Sequence, residues 1–389
     1  MQAVWYEADW DPRPRYRVTD VEKRTGKARV ASEVWRNPRF SRVEVPDPTP
    51  GPGEVVVEVA ACGVCGSDTH CYEKDGDGYI LFSGPVRLPC VCGHEYTGRV
   101  VATGPGVRRL RVGELVAAEG MLYCGVCEAC RRGQFNQCPD IEMVGFSAPG
   151  AYASHIATHE KHLWSLDRLA TRLGSEATAL ERGATVEPIA CAFNGIWVSG
   201  GGMKPGSHVA VYGCGPIGLG AVLLCKAAGA ATVVAFDVVP ERVALAVACG
   251  ADVAHDVGAL AKAGQSPADV VLELTGGWGA DIQVEAAGAA RVTMPEIERA
   301  FAPGGMMVYL GRTGDRAPVE LDRLVTGAAR IVGARGHAGG GCFPNLIRMM
   351  ERGVLDPSPM ISARMGLFDA IAALDRSTSR KDGKIMLLR

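Results

Sequence analysis

Short apolar runs separated by glycine and proline dominate the chain from residue 55 to residue 120. The clearest of these runs are Glu54-Val-Val-Val-Glu-Val-Ala60, Arg99-Val-Val-Ala-Thr103 and Glu114-Leu-Val-Ala-Ala118. Runs of β-branched residues with turn residues between them are typical of strands joined by tight turns. The pattern therefore predicts a first segment that is mainly β.

From residue 189 onward the pattern changes to alternating strands and helices. Val209-Ala-Val-Tyr212 predicts a short buried strand, followed by a glycine-rich turn, an Ala/Leu-rich helix through Lys226 and a second strand at Thr232–Phe236. A strand, a helix and a strand with short connections predict a parallel βαβ unit in an open, doubly wound sheet. Three further apolar runs predict strands of the same sheet: Val270–Leu274, Val284–Ala286 and Met306–Leu310.

These patterns divide the chain into three predicted segments of an α/β protein. Residues 1–190 form a β-rich domain, residues 191–334 form the doubly wound domain, and residues 335–389 return to the first domain with a helical pattern around Phe343–Glu351. At 389 residues the chain is long enough for two domains that each bury a core. The doubly wound domain is therefore expected to be inserted into the β-rich one.

Composition narrows the classes of partner. The formal net charge of -2 comes from interspersed acidic and basic residues, so no single-sign surface predicts binding to nucleic acid or to a membrane. The sequence shows no basic segment followed by an apolar run at its start and no long apolar stretch, which predicts a cytoplasmic protein with small-molecule ligands. Fourteen cysteines then predict metal ligation and buried thiols rather than disulfides.

A glycine-rich turn opens the helix that follows the strand Val209–Tyr212. Between a strand and a helix, glycines at this spacing provide a tight turn, allow close approach of a pyrophosphate and let the helix pack on the strand. Glycines alone also serve turns for purely backbone reasons, so the flanking strand and helix carry the prediction. The turn predicts a dinucleotide-binding loop with the phosphates at the N-terminus of the helix, made by Gly213, Gly215, Pro216, Ile217 and Gly218.

An acidic residue ends the second strand of this unit, about 20 residues after the glycine turn, as the dinucleotide-binding pattern requires. This residue is Asp237, whose carboxylate is predicted to accept hydrogen bonds from both hydroxyls of the adenosine ribose. Its charge repels a 2′-phosphate, so the sequence favours NAD over NADP. Arg242, a few residues further on, is assigned to the same cofactor site.

Four cysteines are closely spaced in the segment Cys124-Gly-Val-Cys127-Glu-Ala-Cys130, with Cys138 a short loop later. Four thiolates complete a tetrahedron around one Zn2+ and leave no open coordination position. The cluster therefore predicts a structural zinc site. An iron–sulfur cluster and a chance group of free thiols are the alternatives.

A second group of residues predicts a metal site of a different kind. It comprises Cys62-Gly-Val-Cys65-Gly-Ser-Asp-Thr-His70 and Gly93-His94-Glu95. One thiolate, one imidazole and one carboxylate leave a coordination position open, which is the arrangement of catalytic zinc sites. The carboxylate candidates are Glu95 and Glu187, the latter in Glu187-Pro188 at the predicted domain junction.

The cysteines also allow a competing arrangement. Cys62, Cys65, Cys90 and Cys92 could form another closed four-thiolate site, in which His94 would have no role. The open site is preferred because it uses that histidine. Together with the structural site, the prediction is two zinc ions per chain.

In their order along the chain, these motifs resemble the zinc-containing medium-chain dehydrogenase/reductase family, which includes polyol, sorbitol and threonine dehydrogenases. The resemblance implies a GroES-like β-rich catalytic domain, a Rossmann NAD-binding domain and a homo-oligomer, either a tetramer or a dimer. It rests on five segments: Gly63-Val-Cys65-Gly-Ser-Asp-Thr-His70, Gly93-His-Glu95, Cys124 to Cys138, Glu187-Pro188 and Gly213 to Asp237.

The resemblance also implies which residues hold the catalytic zinc. Cys65 rather than Cys62 is the thiolate ligand, and His94 is the imidazole ligand. Glu187 and Glu95 occupy the positions whose carboxylates complete the ligand sphere or lie just outside it. Cys62 is then left with a packing role.

A proton relay is implied in the same way. In such a site the metal lowers the pKa of a substrate hydroxyl, and hydride passes from the carbon to the nicotinamide ring. Ser67 takes the released proton and passes it through the nicotinamide ribose to His70, whose ordinary pKa suits a relay. Asp68 orients a zinc ligand such as His94.

Segments outside these motifs resemble the scyllo-inosose dehydrogenase branch of the family. This narrower resemblance implies oxidation of a secondary hydroxyl on a cyclitol, with polar and aromatic side chains near the substrate, including those around Tyr79 and His337. The matching segments are Trp10-Asp-Pro-Arg-Pro-Arg-Tyr16, Thr25-Gly-Lys-Ala28, Val34-Trp-Arg36, Gly78-Tyr-Ile-Leu-Phe82 and Gly333-Ala-Arg-Gly-His337.

Two other functions fit the same residues. The first is a dehydrogenase of an aminocyclitol or of an open-chain polyol, of the sorbitol or threonine type. The second, of a different class, is a non-catalytic zinc- and nucleotide-binding module that responds to redox state. The presence of Ser67, His70 and an open metal site argues against the non-catalytic module.

Overall fold

The computed structural model describes residues 1–312, 314, 316–337 and 339–389. Contacts between residues divide the chain into two compact units. The first unit comprises Met1–Glu187, Ala363–Ser379 and Lys384–Arg389, and the second comprises Pro188–Ser362 and Arg380–Gly383. The second unit therefore interrupts the first.

The strands fall into two groups. Along the chain, strands of the first unit come both before and after those of the second unit. In chain order the strands are β1 (Gln2–Trp10), β2 (Lys27–Ala28), β3 (Trp35–Glu44), β4 (Glu54–Val64), β5 (Val86–Arg87), β6 (Cys90–Val91), β7 (Glu95–Thr103), β8 (Leu115–Ala118), β9 (Met121–Leu122), β10 (Glu142–Met143), β11 (His155–His159), β12 (Leu163–Ser165), β13 (His208–Tyr212), β14 (Thr232–Asp237), β15 (Val253–Asp256), β16 (Ala280–Glu285), β17 (Phe301–Tyr309), β18 (Arg330–Gly333), β19 (Ile361–Gly366) and β20 (Lys384–Leu388).

The helices are short. In chain order they are α1 (Asp20–Thr25), α2 (Gly66–Tyr72), α3 (Glu128–Arg131), α4 (Asp167–Leu173), α5 (Glu176–Gly183), α6 (Val186–Phe193), α7 (Pro216–Ala227), α8 (Pro240–Ala248), α9 (Val257–Lys262), α10 (Pro267–Leu274), α11 (Ala290–Arg299), α12 (Leu321–Thr326), α13 (Cys342–Glu351) and α14 (Ala370–Ser377). Among the described residues, no helix has the length and apolar character needed to cross a membrane.

The first unit is built around β4. Its largest sheet has the order β12-β8-β7-β4-β20-β19, with β11 also paired to β4, and the neighbours of β4 run antiparallel to it. The alternating residues Val55, Val57 and Val59 are fully buried, because side chains two apart on a strand share one face. A second sheet has the order β3-β1-β6. The long central strand therefore fixes where its C-terminal end, and the residues after it, are placed.

The second unit is an open parallel sheet. Its strand order is β15-β14-β13-β16-β17-β18, and each pair of neighbouring strands is parallel. The chain begins at β13, builds outward through β14 and β15, and then restarts on the other side at β16. Ligands of such sheets bind at the carboxyl ends of the strands where the order reverses, which here is the edge formed by the ends of β13 and β16.

One predicted strand is wrong. The run Val270–Leu274 lies in α10, not in the parallel sheet. Ser266 and Asp269 form a capping box at the start of this helix, and Pro267 occupies its first turn, both of which favour a helix N-terminus. A short apolar run does not distinguish a buried strand from the buried face of a helix. The other two predicted runs fall on β16 and β17.

The chain returns to the first unit later than the sequence pattern predicts. The expected helix is present as α13, but it belongs to the second unit, and the first unit resumes at Ala363 rather than at residue 335. Phe343, Leu346 and Met350 form the buried face of this helix. An amphipathic pattern shows that a helix covers a core, but it does not show which core.

Candidate active site and metal centres

Cys65, His94 and Glu95 come together in the first unit, with ligand atoms that all lie within 4.8 Å of one another. Strand pairing brings this about. Cys65 directly follows β4 and precedes α2, while Glu95 opens β7 and pairs with Gly63 in β4. His94 and Glu95 are 7% and 0% exposed. The antiparallel pair β4·β7 therefore places two distant motifs side by side.

Asp68 connects these side chains. Its Oδ2 accepts a hydrogen bond from the backbone N–H of Cys65 at 3.0 Å, and its Oδ1 lies 3.3 Å from Nδ1 of His94. The hydroxyl of Tyr152 also donates to Oδ2, at 3.0 Å. The carboxylate is 4% exposed, and a buried carboxylate beside a histidine is a usual means of orienting a metal ligand.

Glu95 forms a fully buried ion pair with Lys384. The Lys384 Nζ lies 2.7 Å and 2.5 Å from the two carboxylate oxygens and also donates to the backbone oxygen of Val64 at 2.9 Å. Both side chains are 0% exposed. Burial raises the pKa of Glu95, Lys384 opposes this, and the negative charge of Glu187 raises it further. Nothing in the sequence motifs pointed to Lys384; the only available signal was a charged residue at the start of an apolar strand.

Glu187 lies in the first turn of α6 and is 8% exposed. It is close enough to Glu95 and Lys384 to shift the pKa of each upward. The two carboxylates named as candidate ligands are therefore neighbours within the first unit.

His337, which the sequence predicts to lie near the substrate, belongs to the second unit, where its Nδ1 lies 4.0 Å from Sγ of Cys191.

Ser67 and His70 lie on the same short helix, α2, three residues apart. Residues at this spacing share one face of a helix. Both are partly exposed, and the backbone oxygen of His70 accepts the N–H groups of Leu81 and Phe82 at 2.8 Å and 3.0 Å. The two proposed relay residues are thus close together and next to the segment that follows α2.

Tyr79, which the sequence predicts to lie near the substrate, lines a surface cleft of about 680 Å³. The guanidinium of Arg13 lies 3.9 Å from the centre of its ring, and that of Arg36 lies 5.6 Å away. Three residues after Tyr79 the same segment places Phe82 against Phe146, with ring centres 4.7 Å apart. Phe146 in turn lies 5.0 Å from His94, ring centre to ring centre, so Phe82 is one aromatic ring away from the proposed metal ligand.

The competing four-thiolate arrangement does not form among the described residues. Cys62, Cys90 and Cys92 are buried free thiols and lie outside the cluster of Cys65 and His94. Burial raises the pKa of Cys90 to about 12 and raises that of Cys62 and Cys92 as well. The three thiols are therefore packed in the protein interior rather than grouped as ligands.

The four cysteines of the second cluster also come together. Sγ of Cys138 lies 3.6 Å from Sγ of Cys124 and 3.8 Å from Sγ of Cys127, and all four sulfurs lie within 4.8 Å of one another. A tetrahedron with Zn–S distances of about 2.3 Å has edges of about 3.8 Å, whereas a disulfide requires about 2.05 Å. Backbone N–H groups of Val126 and Cys127 lower the pKa of Cys124 to about 6, whereas burial raises the pKa of Cys130 and of Cys138, so the sulfur geometry carries the assignment. These donors fit a zinc ion.

The dinucleotide loop in the second unit joins β13 to α7. Gly213 has φ +91°, and a Cβ there would lie 2.6 Å from the backbone nitrogen of Ala287. A Cβ on Gly218 would lie 1.8 Å from the backbone oxygen of Gly213. Gly215 precedes the helix, and Pro216 occupies its first turn before Ile217. Only glycine fits the first and last of these positions, so loop, strand and helix pack as the motif predicts.

Asp237 ends β14 next to this loop. Its Oδ2 accepts the backbone N–H of Cys214 at 2.7 Å, and its Oδ1 accepts that of Val239 at 2.9 Å. Arg242 is close by, since its Nη1 lies 3.7 Å from the position of a Cβ on Gly215. Burial lowers the pKa of Arg242, and the nearby Arg380 lowers it further. The structure therefore brings the predicted cofactor residues together.

Two features define the class of protein. One is a parallel sheet with a glycine loop where its strand order reverses, and the other is a β-rich unit with one closed and one open set of zinc donors. The class is that of zinc-dependent dehydrogenases that use a nicotinamide cofactor.

Comparison with known proteins places the chain within this class. Residues 51–168 match the alcohol dehydrogenase GroES-like domain, and residues 216–352 match the zinc-binding dehydrogenase domain. Scyllo-inosose 3-dehydrogenase of Thermotoga maritima is 36% identical over 378 residues, 94% of either chain. L-threonine 3-dehydrogenase of Symbiobacterium thermophilum is 31% identical over 364 residues, 92% of this chain and 97% of that one. The chain belongs to the zinc-containing medium-chain dehydrogenase/reductase family.

Solved structures support the same family assignment. A structure assigned as an alcohol dehydrogenase from Thermotoga maritima has a TM-score of 0.94 and 34% sequence identity and covers 100% of both chains. A zinc-binding dehydrogenase from Sinorhizobium meliloti, bound to NADP, has a TM-score of 0.76 and 27% identity over 93% of this chain and 99% of that one. The GroES-like and Rossmann domains predicted from sequence are confirmed. The protein is an alcohol or polyol dehydrogenase that uses zinc and a nicotinamide cofactor, which sets aside a non-catalytic module.

Proposed function

We propose that this enzyme catalyses the reversible, NAD-linked oxidation of a secondary alcohol on a cyclitol, with inositol-derived ketones such as scyllo-inosose as the substrate class. The observation that carries the proposal is the 36% identity to scyllo-inosose 3-dehydrogenase along 94% of both chains. This similarity extends well beyond the metal and nucleotide motifs that all family members need. It therefore includes segments that can determine the substrate.

Cys65 and His94 would hold the catalytic zinc, with Glu95 or Glu187 as the carboxylate. When bound, the ion acts as a Lewis acid that lowers the pKa of a substrate hydroxyl. Asp68 holds the Cys65 backbone and faces His94, so the two ligands are oriented by one carboxylate. A second zinc ion, held by the four cysteines between Cys124 and Cys138, would be structural.

The protein's own residues then move the proton. Oxidation transfers a hydride from the substrate carbon to the nicotinamide ring and leaves the hydroxyl proton to be removed. Ser67 would accept that proton and pass it through the nicotinamide ribose to His70, which releases it to solvent. The shared face of α2 and the partial exposure of both side chains support this route.

NAD is the proposed cofactor. Asp237 carries a negative charge at the end of β14, where it would accept hydrogen bonds from the adenosine ribose and repel a 2′-phosphate. Arg242 nearby carries the opposite charge, and a relative binds NADP, so the balance of these two groups decides the preference. Two backbone N–H donors already hold the carboxylate of Asp237 in place, which supports NAD.

A second candidate function is supported by a separate observation. L-threonine 3-dehydrogenase is 31% identical over 92% of this chain, so an open-chain substrate, or an aminocyclitol, is the alternative. The same zinc, relay and cofactor residues would serve each of these substrates. Only the residues that contact the remainder of the substrate would differ.

The deciding experiment is an oxidation assay with NAD over a panel that includes myo-inositol, scyllo-inosose, an aminocyclitol, sorbitol and L-threonine. The expected result is a kcat/KM for at least one inositol-type cyclitol that exceeds the values for sorbitol and threonine by about tenfold or more. The Cys65→Ala variant provides the background without the metal site. A clear preference for threonine or sorbitol would contradict the cyclitol assignment while leaving the dehydrogenase class intact.

We also propose that the enzyme is a homo-oligomer, a dimer or a tetramer. The outermost strand β18 exposes Ile331 at 39%, and the adjoining α12 exposes Leu321 at 69% and Val325 at 78%. An outer strand beside exposed apolar side chains is suited to contact with another chain. Sedimentation velocity of the wild-type enzyme and of an Ile331→Lys variant tests this, and a monomeric wild-type protein would contradict it.

A further inference from the structure

Tyr152 is packed against the turn that leads into His94. The residue is fully buried, and its backbone N–H donates to the backbone oxygen of Cys92 at 2.8 Å. Its ring lies directly on Gly93, where an added Cβ would be 2.3 Å from the ring carbon Cδ1. The side chain therefore cannot shift without moving the turn before the zinc-ligand histidine.

The hydroxyl of Tyr152 reaches Asp68. It donates to Oδ2 at 3.0 Å, the same oxygen that accepts the N–H of Cys65, also at 3.0 Å. The other oxygen, Oδ1, lies 3.3 Å from Nδ1 of His94. The terminal torsion of an aspartate has broad minima, so two donors on Oδ2 are needed to keep Oδ1 directed at the histidine.

We propose that Tyr152 is a positioning residue for the catalytic zinc site. Its hydroxyl holds Asp68 in the orientation in which the carboxylate can accept a hydrogen bond from Nδ1–H of His94, which leaves the other ring nitrogen to the metal. This inference rests on the proposed function, because it takes Cys65 and His94 as ligands of the catalytic zinc. Groups that orient metal ligands affect metal affinity although they do not touch the ion.

The test is Tyr152→Phe, which keeps the ring on Gly93 and removes only the hydroxyl. The two-zinc holoenzyme is exposed to a chromogenic chelator, and the release of each zinc equivalent is followed. The variant is expected to release one equivalent roughly 3- to 10-fold faster than wild type, below the 10- to 100-fold range for residues bonded directly to ligands. The other equivalent, held by four thiolates, leaves at the wild-type rate. In steady-state assays kcat falls while the KM for the nicotinamide cofactor is unchanged.

The matched control is Tyr96→Phe. Tyr96 is equally buried in the same core, and its hydroxyl lies beside Thr158 rather than Asp68. This variant is expected to match any change in melting temperature seen in Tyr152→Phe but to release zinc at the wild-type rate. Wild-type zinc release in Tyr152→Phe, or equal acceleration in both variants, would overturn the proposal.

Metal release is measured without substrate, so the two proposals can fail separately. A substrate panel that favours threonine leaves the zinc-release prediction untouched. A wild-type protein that holds only the four-thiolate zinc would contradict both the catalytic metal site and the positioning role. Melting temperatures of all variants identify loss of fold.

Discussion

The backbone N–H of Cys214, inside the glycine loop, donates to Oδ2 of Asp237 at 2.7 Å. Asp237 therefore has a structural role in addition to the role expected toward the ribose: it ties the end of β14 to the loop that would hold the pyrophosphate. Because its two oxygens each accept a backbone N–H, the carboxylate is presented to the cofactor in one orientation.

The Asp237→Asn variant should lower the affinity for NAD by about tenfold, because hydrogen bonds to a charged group contribute about 1.5–3 kcal/mol and 1.4 kcal/mol corresponds to a factor of ten. The ratio of NADP to NAD affinity should rise, because the charge that repels a 2′-phosphate is gone. Fluorescence titration with NADH and NADPH measures both.

Asp281→Asn is the matched control for this test. Asp281 also accepts a backbone N–H, that of His208, at 2.7 Å, but it lies near the start of β16, at the opposite edge of the parallel sheet. The Asp281→Asn variant should leave the affinities for NADH and NADPH unchanged. A wild-type enzyme that already prefers NADP would show that Asp237 does not set cofactor choice.

Removal of either proposed catalytic ligand separates chemistry from cofactor binding. Cys65→Ala and His94→Ala should each lower kcat/KM by about a thousandfold or more, since a Lewis acid contributes several kcal/mol and each 1.36 kcal/mol is a factor of ten. NADH titration should give an unchanged dissociation constant, because the glycine loop belongs to the other unit. Turnover retained in both variants would exclude the zinc mechanism.

The structural zinc can be removed independently. Cys138→Ser should lower the zinc content from two ions per chain to one and lower the melting temperature by roughly 5–10 °C, because loss of a structural metal removes several kcal/mol. Cys249→Ser is the control, since Cys249 is a buried free thiol of the second unit. Metal analysis distinguishes them: two zinc ions retained in the Cys138 variant would exclude the four-thiolate site.

Arg13 holds the segment that follows α2. It pairs with Asp75 and Asp77 and stacks on Tyr79, and the same segment carries Phe82, which stacks on Phe146 beside His94. Arg13→Met should therefore raise the KM for the preferred alcohol several-fold and cost about 1 kcal/mol of stability. The exposed Arg17 provides a control, Arg17→Met, that should change neither. An unchanged KM for Arg13→Met would mean that this segment does not contribute to substrate binding.

Local chemistry explains why much of the site could be predicted. Thiol spacing between Cys124 and Cys138 brings four ligands close with little help from the rest of the chain, so the pattern alone pointed to a closed metal site. The glycine loop is equally local, because the strand, turn and helix that it needs are consecutive in the chain.

Other features depended on packing between distant segments. The closed alternative with Cys62, Cys90 and Cys92 could not be rejected from spacing, because burial and strand register decide which thiols face the metal donors. Val270–Leu274 was assigned to a strand since a short apolar run fits either element. Lys384 and Tyr152 carried no motif, although both contact residues of the proposed zinc site.

The sequence by itself therefore determined the two domain types, the residue types that bind zinc and the nucleotide, and the family. The tertiary structure decided which lysine and which tyrosine lie beside the group of Cys65, His94 and Glu95, and where the chain leaves one core for the other. The physical reason is that motifs within a few residues are constrained by backbone geometry alone. The bond from Lys384 in β20 to Glu95 in β7 instead depends on strand pairing between segments that are 289 residues apart in the chain.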